Sequence, residues 1–224
     1  NWRAARFWRQ QGVDRIILAR ELARGEIEKI RAECPGLELE YFVHGAMCMA
    51  YSGRCLLSSH FLGRSANLGD CVQPCRWNYF ITEEKRPERP LEIRDDQHGS
   101  YILNSRDLCL MKYLPELKAA GLDSLKIEGR AKSVYYLAMV VGAYRKALDL
   151  MAAEEADPEE ILPWLYSELL DKTTNRGFTT GFWRGDKGAQ ETQASHLQAD
   201  WQFCGQVKGA KSGEPGYQAL VKAH

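Results

Sequence analysis

Over the first 45 residues the apolar positions change period several times, and each change marks an element. Residues 2–11 repeat with helical spacing and stop at Gly12, after which RIILA at 15–19 is a short, continuous apolar run of strand type. Residues 21–33 return to a charged amphipathic helix that ends before Pro35-Gly36, where proline cannot continue the ladder. LEYFV at 39–43 is the next strand and runs into His44-Gly45. The same rhythm resumes much later, with a helix over 110–120 followed by Gly121, a strand at 124–127, and a long helix over 132–151.

Strands that alternate with helices of this length predict parallel βαβ units. Three such strands behind an opening helix predict an α/β fold: the C-terminal part of a (β/α)8 TIM-like barrel over residues 1–150, with a cysteine-rich insertion at 44–109. A small open α/β sheet is the alternative. Residues 151–195 are expected to be a connector with one short helix near 160–170, and 196–224 the beginning of a small β domain, cut short.

Charge and composition narrow the function. The 224 residues hold 30 basic and 30 acidic side chains and are 45% hydrophobic, which excludes wholesale disorder. Zero net charge gives no general affinity for nucleic acid, so any such contact must be local: residues 106–146 carry eight basic against four acidic side chains, whereas 151–172 carry seven acids against Lys172. No apolar run approaches a membrane span, and the opening NWRAARFWRQ lacks the apolar stretch of an export leader. Seven cysteines in such a chain point to a cytoplasmic protein with a metal or cluster site rather than to disulfides.

Five of the cysteines lie between 48 and 109. Four thiolates suit an iron–sulfur cluster, and four also make a structural zinc site. Only Cys71-Val-Gln-Pro-Cys75 has the short spacing of a zinc hook, and the six residues between Cys48 and Cys55 are too many for a second. Spacing therefore favours a cluster without excluding zinc. Cys34 and Cys204 stand apart and are expected to be buried structural thiols.

EYFVHGAMCMAYSGRCLLS at 40–58 resembles the signature of the collagenase-like peptidase family U-32. CVQPCRW at 71–77, NSRDLCL at 104–110, LKIEGRAKSVYY at 125–136 and TTGF at 179–182 follow in the family's order. The resemblance implies not proteolysis but oxygen-independent hydroxylation on a 4Fe–4S cluster. It is closest to the branch that hydroxylates the wobble uridine of tRNA with prephenate as co-substrate; a sister branch acts on a ribosomal RNA cytidine. Carried over by position, the ligands are Cys48, Cys55, Cys71 and Cys109, with Cys75 as an alternative. A peptidase and a zinc-stapled RNA-binding module are the competing readings.

The remaining candidates follow from the ends of the strands, where a β/α barrel places its chemistry. Arg130 and Arg106 are candidates for gripping the carboxylates of prephenate, since guanidinium matches carboxylate bidentately. Glu128 and His44 are candidates for proton transfer. The plainer alternatives are a buried Glu128–Arg130 ion pair and a His44 bonded to backbone. Ser58 with His44 is the one conceivable hydrolytic pair. For RNA, Lys132, Arg145 and Lys146 with Tyr135, Tyr136 and Tyr144 form one basic-aromatic group, and Arg76, Trp77, Arg86, Arg89 and Arg94 another. Oligomeric state is not legible.

Overall fold

The computed structural model describes residues 1–48, 50–77, 80–84, 86–92, 105–130, 132–154, 157–185, 201, 204–213 and 216–223. Helix α1 (Trp2–Gln10) is capped by Asn1, whose Oδ1 accepts from the Ala4 N–H at 3.0 Å. Strand β1 (Arg15–Ile17) and helix α2 (Arg24–Glu33) follow; the Glu26 carboxylate reaches back to the Ala23 N–H at 3.0 Å and closes the first turn of α2. Strand β2 (Glu38–Ala46) is three residues longer at its C-terminal end than LEYFV alone predicts. Helix α3 (Leu57–Leu62), the hairpin β3 (Phe80–Glu83) and β4 (Arg86–Glu92), and strand β5 (Asp107–Cys109) occupy the expected insertion. Then come α4 (Leu114–Ala119), β6 (Ser124–Ile127), α5 (Val134–Ala153), α6 (Pro158–Lys172) and β7 (Phe178–Thr179), and last the hairpin β8 (Gly205–Gly213) and β9 (Gly216–Ala223).

The sheet is organised around β2. It pairs in parallel with β1 through Arg15↔Glu38 to Ile17↔Glu40, and with β6 from Glu40↔Ser124 onward. Where β1 has ended, β5 pairs antiparallel with β2 through His44↔Cys109 to Ala46↔Asp107, and β7 extends the sheet beyond β5. The protein is thus a mixed α/β fold whose three neighbouring parallel strands are those expected. The short antiparallel strand β5 was not, because three residues carry no readable period.

One face of β2 is apolar. Leu39, Tyr41 and Val43 are buried beneath the helices with Ile27, Ile30, Leu117, Val140 and Ala147. The other face is charged: Glu40 accepts from Lys126 Nζ and Ser124 Oγ, both at 3.0 Å. Lys126 holds the Glu40 carboxyl below its usual range against the opposing effect of burial. At the start of β6, Asp123 accepts from the Leu39 N–H at 2.8 Å and pairs with Arg31, which also donates to the carbonyl of Leu37 at 2.9 Å. These bonds pin the register of β2 against β6.

Residues 157–185 are no connector. Leu162, Leu165 and Leu169 recur on one face of α6 and are buried in the same core as α5, and β7 joins the sheet. Each such leucine contributes about 1.5–3 kcal/mol by leaving water, so the acidic stretch is only the outer face of an integral helix. The pairing of β8 with β9 bears out strands near the C-terminus, while 186–200 lies outside the described residues apart from its neighbour Trp201.

The register of β2 on β6 shifts between Phe42 and His44. A one-residue irregularity sends the next side chain to the opposite face, and the His44 ring accordingly lies against Tyr136, Tyr144 and Phe178, at centroid distances of 5.9, 5.6 and 5.3 Å. It is fully buried, neither ring nitrogen has a hydrogen-bond partner among the described residues, and burial pushes its pKa down to about 3 despite the nearby Asp107. The expectation of His44 as a proton carrier is corrected: the ring is neutral and faces the core.

The shift also brings backbones together. Gly45 has φ +116°, and a Cβ there would lie 2.3 Å from the carbonyl oxygen of Glu128. At Gly129 an added Cβ would instead meet the tip of the Leu137 side chain, which can turn away. Gly45→Ala is expected to cost at least about 2–3 kcal/mol, as strained backbone does, and Gly129→Ala distinctly less, both read by denaturant unfolding. His44 binds a proton more readily unfolded than folded, so stability falls as pH drops from about 6.5 toward 3, by up to roughly 1.4 kcal/mol per pH unit. His44→Phe is expected to flatten that slope in unfolding curves taken from pH 7 to pH 4; an unchanged slope would refute the assignment.

Candidate functional site: a thiol-rich rim at the end of β2

The cysteine insertion leaves the end of β2 and is tied back to the scaffold at defined points. Glu21, just beyond β1, accepts from the Ser52 N–H at 2.7 Å. Asn67 Oδ1 accepts from the Cys55 N–H at 2.9 Å, and the buried Ser58 Oγ accepts from the Val72 N–H at 3.3 Å. Gly53, at φ +77°, supplies the turn between Cys48 and Cys55. Gln73 adopts a left-handed conformation, and its N–H points at Cys71 Sγ at 3.2 Å.

These ties gather thiols. Cys48 is exposed as a residue, yet its sulfur is enclosed enough that burial is the main cause raising its pKa. Cys55 and Cys71 raise it further and Arg20 opposes them, so the three sulfurs and one guanidinium share an electrostatic neighbourhood. Cys75 is half-buried on the single 3-10 turn Pro74–Arg76, which packs on α3 directly after Cys55. Among the described residues, no three His, Cys, Asp or Glu side chains stand in the close geometry of an assembled metal centre. All seven cysteines are free thiols.

Cys109 differs from them in burial. It is 3% exposed in the core, paired in the sheet with His44, and its side chain meets the Tyr144 hydroxyl. Burial pushes its thiol up to about 12. Of the two cysteines open for the fourth ligand position, Cys109 is buried at the end of the sheet and Cys75 is half-buried in the insertion.

Glu128 and Arg130 do not form the ion pair that sequence allowed. The Glu128 carboxylate accepts from the Ala46 N–H at 3.2 Å and from the Arg130 N–H at 2.9 Å, clamping the end of β2 to the loop after β6. The Arg130 side chain is exposed and extends to Gly69, where an added Cβ would lie 3.5 Å from Nη2, and its charge helps hold the Asp70 carboxyl below its usual range, after the larger effect of Arg64. Arg130 thus stands beside Gly69 and acts on Asp70, the residue before Cys71 in the chain. Arg106 is half-buried and acts electrostatically on Tyr166 of α6 instead. Ser58 and His44 are each fully buried and engaged elsewhere, which removes the hydrolytic pair.

Sequence reasoning missed a buried charge cluster at the same end of the sheet. Asp107, fully buried, accepts from Lys132 Nζ at 3.3 Å and has Arg176 Nη1 at 3.8 Å. Asp107 lies within the DLCL motif, which was read only for its cysteine, and no spacing rule links it to Lys132 and Arg176. Arg20, expected at the reactive end because it follows the first strand, has its guanidinium 3.6 Å over the Phe42 ring and acts on Cys48. The expected RNA-binding helix fails in part: Tyr136 and Tyr144 are buried, Lys132 serves Asp107, and Arg145 pairs with Asp149. Arg86 and Arg89 lie on β4 without described side chains, and Arg94 lies outside the described residues. None of the described helices is long and apolar enough to cross a membrane.

Comparison with known proteins agrees with these motifs. The family model described as Peptidase family U32 matches residues 1–193. The tRNA hydroxylation protein P1 of Bacillus subtilis is 42% identical over 194 residues, 85% of this chain and 44% of that protein. The tRNA hydroxylation protein P of Escherichia coli is 37% identical over 256 residues, 96% and 55% respectively. A protein named Collagenase from Porphyromonas gingivalis is 34% identical over 84% of this chain and 46% of its own length. The chain spans about half the length of the curated relatives it matches. No solved structure matches. With a family model covering most of its length and relatives well above 30% identity, the chain belongs to peptidase family U32.

Proposed function

We propose that this chain is the thiol-bearing part of an RNA hydroxylase that modifies tRNA, most closely the wobble uridine, with prephenate as co-substrate. The observation that carries the reading is the shared neighbourhood of Cys48, Cys55 and Cys71 at the end of the parallel strands, in a family whose relatives include proteins named for tRNA hydroxylation. The three neighbouring parallel strands are read as one arc of a β/α barrel, which puts the rim at the barrel's reactive end.

The donor set fits a 4Fe–4S cluster: four thiols, three in mutual electrostatic reach and a fourth, Cys75, one short turn from Cys71. When bound, such a cluster supplies one-electron chemistry without oxygen. The chain's own residues do the positioning. Glu128 fixes the strand end that leads to Cys48, and it orients the loop carrying Arg130. Arg130, exposed beside Gly69, is suited to a carboxylate of a dicarboxylate such as prephenate. Arg20 offsets the negative charge of the thiolates. Nothing in the geometry supports peptide hydrolysis.

The test is anaerobic purification with iron, sulfide and zinc analysis, together with nucleoside mass spectrometry of tRNA and ribosomal RNA from cells with and without the full-length gene. A brown protein with about four iron per chain, bleached by dithionite, and loss of one hydroxylated tRNA nucleoside on deletion are expected. Cys48→Ser, Cys55→Ser, Cys71→Ser and Cys75→Ser are each expected to lose the colour, whereas Cys109→Ser keeps it and loses about 1–2 kcal/mol of stability. Colour that survives Cys75→Ser and vanishes with Cys109→Ser would reverse the ligand assignment. A colourless protein with stoichiometric zinc would overturn the redox reading.

A further inference from the structure

Residues 50–77 turn a large amount of apolar surface to solvent. Leu68 is 87% exposed, Leu56 75% and Tyr51 70%, and Phe61 and Trp77 are about half exposed. Exposed apolar side chains concentrated in one segment point to an interaction surface. Phe61 and Trp77 form a tilted ring pair at 6.1 Å, with His60 edge-on to Phe61 at 5.3 Å. Beside them is an open cleft of about 400 Å³ whose walls include Arg54, Leu57, His60 and Cys55, one of the gathered thiols.

The charge of the patch selects its partner. Residues 47–77 hold three arginines against one carboxylate, Asp70, in a chain that is neutral overall. Arg64 takes that carboxylate, with Nε to Oδ2 at 3.0 Å. Arg54 is exposed and has no acidic partner among the described residues. A polyanion with exposed planar apolar groups satisfies both features, and single-stranded nucleic acid has that composition: bases stack on aromatic rings while phosphates meet guanidinium. Helix α5 lacks this combination, since two of its three tyrosines are buried.

We propose that the face formed by Tyr51, Arg54, Phe61 and Trp77 receives a single-stranded RNA loop, with one unstacked base entering the cleft beside Cys55. Neighbouring bases stack on the Phe61–Trp77 pair and Arg54 meets a phosphate. The proposal rests on the RNA-hydroxylase reading and locates its substrate. It needs no unpairing energy when the target base already lies in a loop.

The experiment measures fluorescence anisotropy of a labelled RNA hairpin with a seven-nucleotide loop, and of a blunt RNA duplex of equal length, on the full chain without added cofactor. The loop is expected to bind more tightly than the duplex. Phe61→Ala with Trp77→Ala is expected to weaken loop binding at least tenfold while leaving the melting transition within a few degrees, because both rings are half exposed. Arg54→Gln is expected to reduce the slope of log affinity against log salt by about 0.7. Unchanged loop affinity in the double variant, with tRNA hydroxylation still dependent on the full-length gene, would overturn the docking face and leave the function intact. Loss of a dimer on light scattering in the double variant, with RNA affinity unaltered, would assign the patch to a protein interface and overturn the proposal. No RNA binding by the parent chain and no gene-dependent nucleoside would remove both.

Discussion

The rim depends on how closely β2 approaches the end of β6 at Gly45. The Glu128 carbonyl oxygen sits where a side chain at Gly45 would begin, and the Glu128 carboxylate binds the Ala46 N–H immediately beyond. The two strand ends are thereby locked without a side chain between them. On one side the lock launches the loop that carries Cys48 and Cys55, and on the other the loop that carries Arg130 toward Gly69. A cluster of thiols assembled from distant sequence needs fixed starting points, because each flexible residue adds conformational entropy that binding must overcome. Gly45, Glu128 and the Glu21–Ser52 bond provide three such points.

The register shift before Gly45 sets the character of the interior as well. It places an imidazole where alternation would have put it on the opposite face, and the surrounding aromatic rings keep it neutral. Two unpartnered ring nitrogens in a core are costly, so the position is tolerated rather than stabilising. Nearby, Asp107, Lys132 and Arg176 form a buried charged group, which is cheap only while its members remain together. The end of the sheet is therefore polar underneath as well as above, a setting in which charge is held in fixed orientation.

The elements with sustained period were readable in the sequence. Helix α5, the apolar strand β2 and the amphipathic α2 repeat their apolar positions often enough to announce both type and buried face. What escaped was short or non-local. Strand β5 has three residues, and its pairing with β2 is a long-range contact that no local pattern encodes. The acidic stretch around 154–160 suggested a connector; the helix expected near 160–170 is present as α6, but its packing of Leu162, Leu165 and Leu169 into the core was not foreseen. At the site, the spacing of Cys48, Cys55 and Cys71 was legible, and so was Arg130 at a strand end. The choice of a fourth thiol between Cys75 and Cys109 was not, since both fit the motifs and they differ in burial. His44 was misplaced for the same reason as Asp107 was missed: facing depends on one irregular step in a strand.

The distribution of exposure makes the cysteine insertion the active surface of the chain. Around the sheet, cations are matched by Glu40, Asp107, Glu116 or Asp123. In residues 50–77 Leu56, Leu68 and Tyr51 face water, arginines outnumber carboxylates, and the same segment carries Cys55, Cys71 and Cys75. Stability alone would remove such a surface, since burying or replacing exposed leucines costs little and lowers the tendency to associate. On the function proposed above, a small dicarboxylate would meet Arg130 without covering that area, and a larger partner with flat apolar groups and negative charge would cover it.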